Sequence, residues 1–206
     1  MKTTTLLLSL AAAVITSAQD DSSYYNETSA PFHLIVTSED GRVNDTLSAC
    51  HIGAAIESLC RSNGNYGSSP TPLQAASFNF NTSIYAEEPV SGLGVGGILT
   101  YVLETSYGGV PSSASFSYNP ISNLALPILS PGDSDAQIMA FDTQDDLAIQ
   151  SYTYVDNTAT WSNYYRWYTC DTSYSSYRYN ALAWGLGASK PDNPSCVAVN
   201  VTRVFL

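Results

Sequence analysis

The sequence predicts an all-β protein, an antiparallel β-sandwich or small β-barrel, with a β-trefoil-like arrangement as the alternative. Three observations lead there. Short runs rich in β-branched and aromatic residues recur along the chain. Clusters of Pro, Gly, Asn and Asp separate them. Apolar and polar residues alternate with period two within several runs.

At the N-terminus, Lys2 precedes an apolar run at residues 6–15 (LLLSLAAAVI), and Thr16-Ser17-Ala18 supplies small residues for cleavage. Residues 1–18 therefore read as a secretory signal peptide. The run is about half of the roughly 20 apolar residues a membrane-spanning helix needs. Residues 19–30 (QDDSSYYNETSA) are polar, lack periodicity and end at Pro31. They read as a flexible leader, and residues 31–206 as a single β domain.

Within that domain Phe32, Leu34 and Val36 alternate with His33, Ile35 and Thr37, and Phe78 and Phe80 with Asn79 and Asn81. Further strands are expected at 97–103, 114–118, 136–141, 147–155, 164–170, 179–186 and 196–206. Asn-X-Ser/Thr sequons fall at Asn26, Asn44, Asn81 and Asn200, as expected of a secreted glycoprotein. A glycan points to solvent, so each sequon in a strand assigns a face. Asn200 turns Ala198 and Thr202 outward and Val197, Val199 and Val201 inward. Asn79 and Asn81 point outward, and Phe78 and Phe80 enter the core.

The four cysteines, Cys50, Cys60, Cys170 and Cys196, make two bridges the expectation in an oxidising compartment. Three connectivities are open. Pairing Cys50 with Cys60 and Cys170 with Cys196 closes short loops, each worth about 3 kcal/mol in the chain-entropy model. Residues 50–60 are the exception to the β pattern, because Ile52, Ala55, Ile56, Leu59 and Cys60 form a helical stripe. A continuous helix would hold the two cysteine Cα atoms about 15 Å apart, and a disulfide tolerates at most about 7 Å. Either a short helix near 52–60 or a hairpin turning near His51-Ile52-Gly53 reconciles them; the hairpin is the expectation.

Charge excludes one class of partner. With 7 basic against 18 acidic residues the net charge is −11. No basic patch is available to neutralise phosphates, so nucleic acid is not an expected partner. Neither a membrane nor an oligomer is expected, and the chain reads as a secreted or cell-wall-associated monomer.

No catalytic, cofactor-binding or metal-binding residue can be assigned. GLGVGG (92–97) contains the spacing G-x-G-x-x-G, but it precedes a strand rather than opening a helix and reads as a turn. Asp142, Asp145 and Asp146, with Asp133 and Asp135 nearby, lack calcium-loop spacing and suit a hairpin turn. Zinc spacing is missing, with no C-x-x-C and two histidines. A polysaccharide hydrolase would need two carboxylates facing one groove. Glu57, Glu87, Glu88, Glu104 and Asp142 are available, but spacing cannot pair them. His51 suits a turn hydrogen bond, or an acid–base pair with Glu57.

The most informative surface feature is aromatic. Residues 152–184 hold Tyr152, Tyr154, Trp161, Tyr164, Tyr165, Trp167, Tyr168, Tyr174, Tyr177, Tyr179 and Trp184. Leu182, Trp184 and Leu186 share one strand face, expected in the core, with Tyr177 and Tyr179 on the other. Rings on both faces of a strand fit either cross-strand packing or an exposed platform. Sugars stack their flat apolar faces on such platforms. Trp161, Tyr165, Trp167, Tyr177 and Tyr179 are the candidate carbohydrate contacts, and a cell-wall polysaccharide is the candidate partner.

The blocks PFHLIV (31–36), LSACHIGAAIESLC (47–60), FNFN (78–81), RWYTC (166–170) and ALAWGLGASKPDNPSC (181–196), with the ending VTRVFL, resemble a family of small secreted fungal proteins of uncharacterised function. The C-terminal cysteine–aromatic block is more distantly similar to fungal phialide-type cell-wall proteins. The resemblance implies a fungal, secreted or wall-associated protein and supplies no catalytic residues.

Overall fold

A computed structural model describes residues 24–64, 72–119 and 122–206. The signal-peptide segment and the first residues of the leader lie outside them. The elements are β1 (Glu27–Thr28), β2 (Phe32–Thr37), β3 (Asn44–Gly53), β4 (Ile56–Arg61), β5 (Asn79–Thr82), β6 (Gly97–Thr105), β7 (Gly108–Tyr118), β8 (Leu124–Pro131), β9 (Ile138–Phe141), β10 (Leu147–Val155), β11 (Thr158–Tyr164), β12 (Trp167–Tyr174), β13 (Tyr177–Gly185), β14 (Val197–Ala198) and β15 (Asn200–Phe205). No helix occurs among the described residues.

The strands pair antiparallel in the order β11-β10-β9-β6-β7-β8-β13-β4-β3-β2-β15. This path curls into a half-barrel, so the protein is all-β and barrel-like. The curl is visible in the core. One cluster draws Leu34, Leu47, Leu59, Phe80, Leu99, Leu129, Met139, Leu147, Trp167 and Leu182 from ten different strands, which requires the sheet to wrap around them. A smaller cluster of Ile52, Leu124, Leu126, Ile128, Cys170 and Ala183 lies on the opposite strand faces, where Tyr168, Tyr174 and Tyr179 of the β12–β13 hairpin pack over it. The alternation expected from sequence is present: Phe32, Leu34, Val36, Phe78, Phe80, Val199 and Val201 are buried, and Ala198 and Asn200 exposed.

The last strand of the path, β15, also reaches the β9–β10 turn near the path's other end. Thr202 of β15 forms an antiparallel bridge with Asp146 in the β9–β10 turn. The Thr202 hydroxyl donates to Asp146 Oδ1 at 2.5 Å, and the Arg203 amide to the Asp145 carbonyl at 3.0 Å. Arg203 Nε pairs with Asp145 Oδ1 at 2.8 Å, and its guanidinium covers the Phe141 ring at 4.4 Å.

Residues 50–60 form a hairpin, not a helix. The turn is Ala54-Ala55, one step beyond the expected position, with Ala55 at φ 56°. The β-pairing explains how a helical stripe is overridden. His51 opposes Glu57, Cys50 opposes Ser58 and Cys60 opposes Ser48, so the two cysteines are diagonal neighbours on one face. Their Cα atoms stand 6.0 Å apart, and the Cys50–Cys60 bridge forms. The second bridge, Cys170–Cys196, has a Cα separation of 4.1 Å and ties β12 to the segment entering β14.

The polar leader ends in a strand. Glu27 and Thr28 pair with Thr82 and Asn81, and the Ser29 amide donates to the Phe80 carbonyl at 3.0 Å. Residues 24–30 are thereby tied to the sheet through β5.

Candidate functional site

The β10–β11 hairpin is built by its turn. Asp156 and Asn157 take φ values of 49° and 62°, the left-handed pair that a two-residue type I′ connection needs, and Asn and Asp tolerate it. A two-residue loop makes the hairpin symmetric about these residues. Tyr152 is therefore placed directly opposite Trp161. Their rings lie 5.0 Å apart at an interplanar angle of 54°, and Tyr154 meets Tyr152 edge-on at 5.4 Å.

This ring pair forms one wall of a groove of about 600 Å³. Tyr24, Tyr25 and Tyr85 are also in its lining, as are Ile138 and Pro89. Pairing of β1 with β5 brings the Tyr24–Tyr25 segment and Tyr85 beside β10 and β11. Tyr24 and Tyr25 contact each other edge-on at 5.1 Å. Tyr85 is 79% exposed, Tyr24 62% and Trp161 37%, so the rings face open solvent. Burial raises the Tyr25 hydroxyl above its ordinary pKa, with Tyr24 and Asp133 adding to the effect. Glu87, Gln150 and Ser151 supply polar edges, and among the described residues the lining contains no basic side chain.

The glycine-rich turn supports the groove. Gln150 Nε2 donates to the carbonyls of Leu93 and Gly94 at 2.8 and 2.7 Å, and Asn163 Nδ2 to that of Leu93 at 2.9 Å. Gly94 sits at φ 81° with its α-carbon so close to Phe141 that a Cβ would lie 1.9 Å from the carbonyl oxygen. GLGVGG is thus a docked turn in which Gly94 permits a close backbone approach.

The five residues singled out from sequence do not share one surface. Trp161 alone lines the groove. Tyr165 stands apart, its hydroxyl donating to Asp142 Oδ2 at 2.6 Å. Burial, followed by this bond, raises its pKa. Tyr177 and Tyr179 belong to β13, with five strands between it and β11 along the path. They pack on the β3–β4 hairpin: Tyr177 meets the His51 ring edge-on at 5.2 Å, and the Tyr179 hydroxyl donates to the His51 carbonyl at 3.0 Å.

Trp167 requires a correction. It is 1% exposed, its indole N–H donates to the Leu147 carbonyl at 2.6 Å, and its ring lies 4.8 Å from Trp184. The single strand expected over 164–170 is broken between Tyr164 and Trp167, and β12 starts afresh at Trp167 with that side chain turned into the core. Trp167 is a core residue rather than part of an exposed platform.

The candidate carboxylates are dispersed. Glu88 accepts from the Gly92 amide at 2.8 Å. Asp142 Oδ1 accepts from the amides of Gln144 and Asp146 at 2.8 and 3.0 Å, the local turn bonding for which Asp is favoured. Among the described residues no cluster of three His, Cys, Asp or Glu side chains suits a metal ion. Glu57 is the exception in burial, at 9% exposure. It opposes His51 in the β3–β4 pair, and its Oε2 has no partner. Burial raises its pKa, against the opposing pull of the nearby His51 and Tyr101.

Of the sequons, Asn26, Asn44 and Asn200 are exposed. Asn44 and Asn200 both pair with Thr37, one from each side, so the three form a row across β3, β2 and β15. Asn81 is half-buried within β5, between β1 and β6, and its side-chain oxygen accepts from the Thr100 hydroxyl at 3.1 Å.

The chain matches no protein-family model, no curated protein and no solved structure.

Proposed function

We propose that this protein is a non-catalytic, secreted or cell-wall-associated glycoprotein that binds polysaccharide in the groove of Tyr24, Tyr25, Tyr85, Tyr152 and Trp161. One observation carries the reading: exposed rings from three separate chain segments converge on one open groove with polar groups at its edges. Sugar rings present flat C–H faces to aromatics and hydroxyls to polar side chains, and the groove offers both. A carboxylate at Glu87 without basic neighbours, on a chain of net charge −11, favours neutral or cationic polymers and repels anionic ones. Two disulfides agree with an oxidising compartment, as do the signal-like N-terminus and the sequons. The resemblance to small secreted fungal proteins makes fungal wall polymers the first ligands to try.

The test is retention against turnover on chitin and β-glucan. Retention without release of reducing ends, weakened by Trp161→Ala, is the expected result. Release of reducing ends abolished by a single Glu or Asp substitution would instead identify a polysaccharide hydrolase. Absence of both on every wall polymer tried removes the carbohydrate reading.

A further inference from the structure

The groove's rim carries a sequon. Asn26 is exposed and follows Tyr25, which lines the groove. Its side-chain Oδ1 accepts from the Ile84 amide at 3.3 Å, and the next residue is Tyr85, which also lines the groove. Asn26 is therefore fixed between two groove-lining segments. The bond uses Oδ1, while Nδ2 is the branch to which a glycan is attached. We propose that the Asn26 glycan folds back into the aromatic groove and occupies it, so that external polymer must displace the protein's own sugar. This rests on the reading of the groove as a sugar site and adds a control on access to it.

Tyr24, Tyr85, Tyr152 and Ile138 leave exposed apolar surface, and contiguous surface of that kind marks a binding site. A tethered ligand also needs little intrinsic affinity. A short flexible tether holds it at an effective concentration of the order of mM, within the range where weak stacking contacts suffice. Asn44 and Asn200 are internal controls, since neither lines this groove.

The test uses the full chain secreted from a glycosylating eukaryotic host. Native protein is digested with an endoglycosidase that cuts the glycan core, and release is followed site by site by mass spectrometry. The expected result is markedly slower release at Asn26 than at Asn44 and Asn200. The combination Tyr85→Ala with Trp161→Ala should remove the difference. Asn26→Gln should bind soluble chitin or β-glucan oligosaccharides ~3- to 10-fold more tightly than the glycosylated protein, as expected for loss of a tethered competitor. An unoccupied Asn26, or release there as fast as at the other two sites, overturns the inference even where polymer binding is found. Protection at Asn26 together with no oligosaccharide binding by Asn26→Gln also overturns it, since the glycan then controls access to nothing.

Discussion

Tyr152 and Trp161 face each other across the β10–β11 pair with ring centroids 5.0 Å apart, directly opposite in register and both open to solvent. Aromatic contacts of this kind contribute about 0.5–1.5 kcal/mol beyond their buried area. Replacing Trp161 with Ala should therefore weaken retention on the bound polymer by ~3- to 10-fold. The melting temperature should change little, because the ring is at the sheet edge. Affinity electrophoresis with and without polymer, together with a thermal melt, checks both halves.

Trp167 separates the core from the groove. Trp167→Ala should cost about 3–5 kcal/mol, through the cavity left among Phe116, Trp184 and Leu147 and the loss of the indole bond. Urea denaturation with intrinsic fluorescence measures it. A cost under 1 kcal/mol would place Trp167 outside the core.

Glu57 makes stability depend on pH with an unusual sign. Its carboxyl is pushed up on folding, so in the window above the ordinary Glu value the native state binds more protons than the unfolded state. Its contribution is thus greatest below the unfolded pKa and is lost as pH rises through the folded one. Glu57→Gln should raise stability at neutral pH relative to the parent and flatten this part of the profile. Denaturation midpoints from pH 4 to 8 test it; an unchanged slope in the variant would refute the assignment.

Asp45 is the counterpart, a buried carboxylate with its partners in place. It accepts from Asn63 Nδ2, the Asn63 amide, the Thr46 amide and Arg61 Nε at 2.8, 3.1, 2.8 and 3.2 Å. Asp45→Ala strands these donors and should cost about 3 kcal/mol, read from the same denaturation experiment.

The β3–β4 hairpin depends on its bridge. Replacing Cys50 and Cys60 together with Ala should cost about 2–4 kcal/mol. Reduction should lower the melting temperature of the parent and leave the contribution of this pair absent in the variant.

Some of this was legible in residue order because it depends on local chemistry. Period-two alternation placed Phe78, Phe80, Val199 and Val201 inward, since a strand offers only two faces. The Cα limit on a disulfide argued against a continuous helix over 50–60, and the hairpin formed. The Tyr152–Trp161 pair was also recoverable, because a two-residue turn at Asp156–Asn157 sets the register on both sides. The burial of Trp167 was not legible, because the break between β11 and β12 at residues 165–166 resets which side chains face inward.

Residue order alone pointed to an all-β chain and to the inward faces of β2, β5 and β15, which follow from the alternation of neighbouring residues. The curl of the sheet into a half-barrel, and the meeting of Tyr24, Tyr25 and Tyr85 with Tyr152 and Trp161 around one groove, came from long-range pairing. That convergence depends on the pairing of β1 with β5 and on the order β5-β6-β9-β10. Backbone hydrogen bonds between strands far apart in the chain set both, and such bonds leave no mark in the spacing of the residues they bring together.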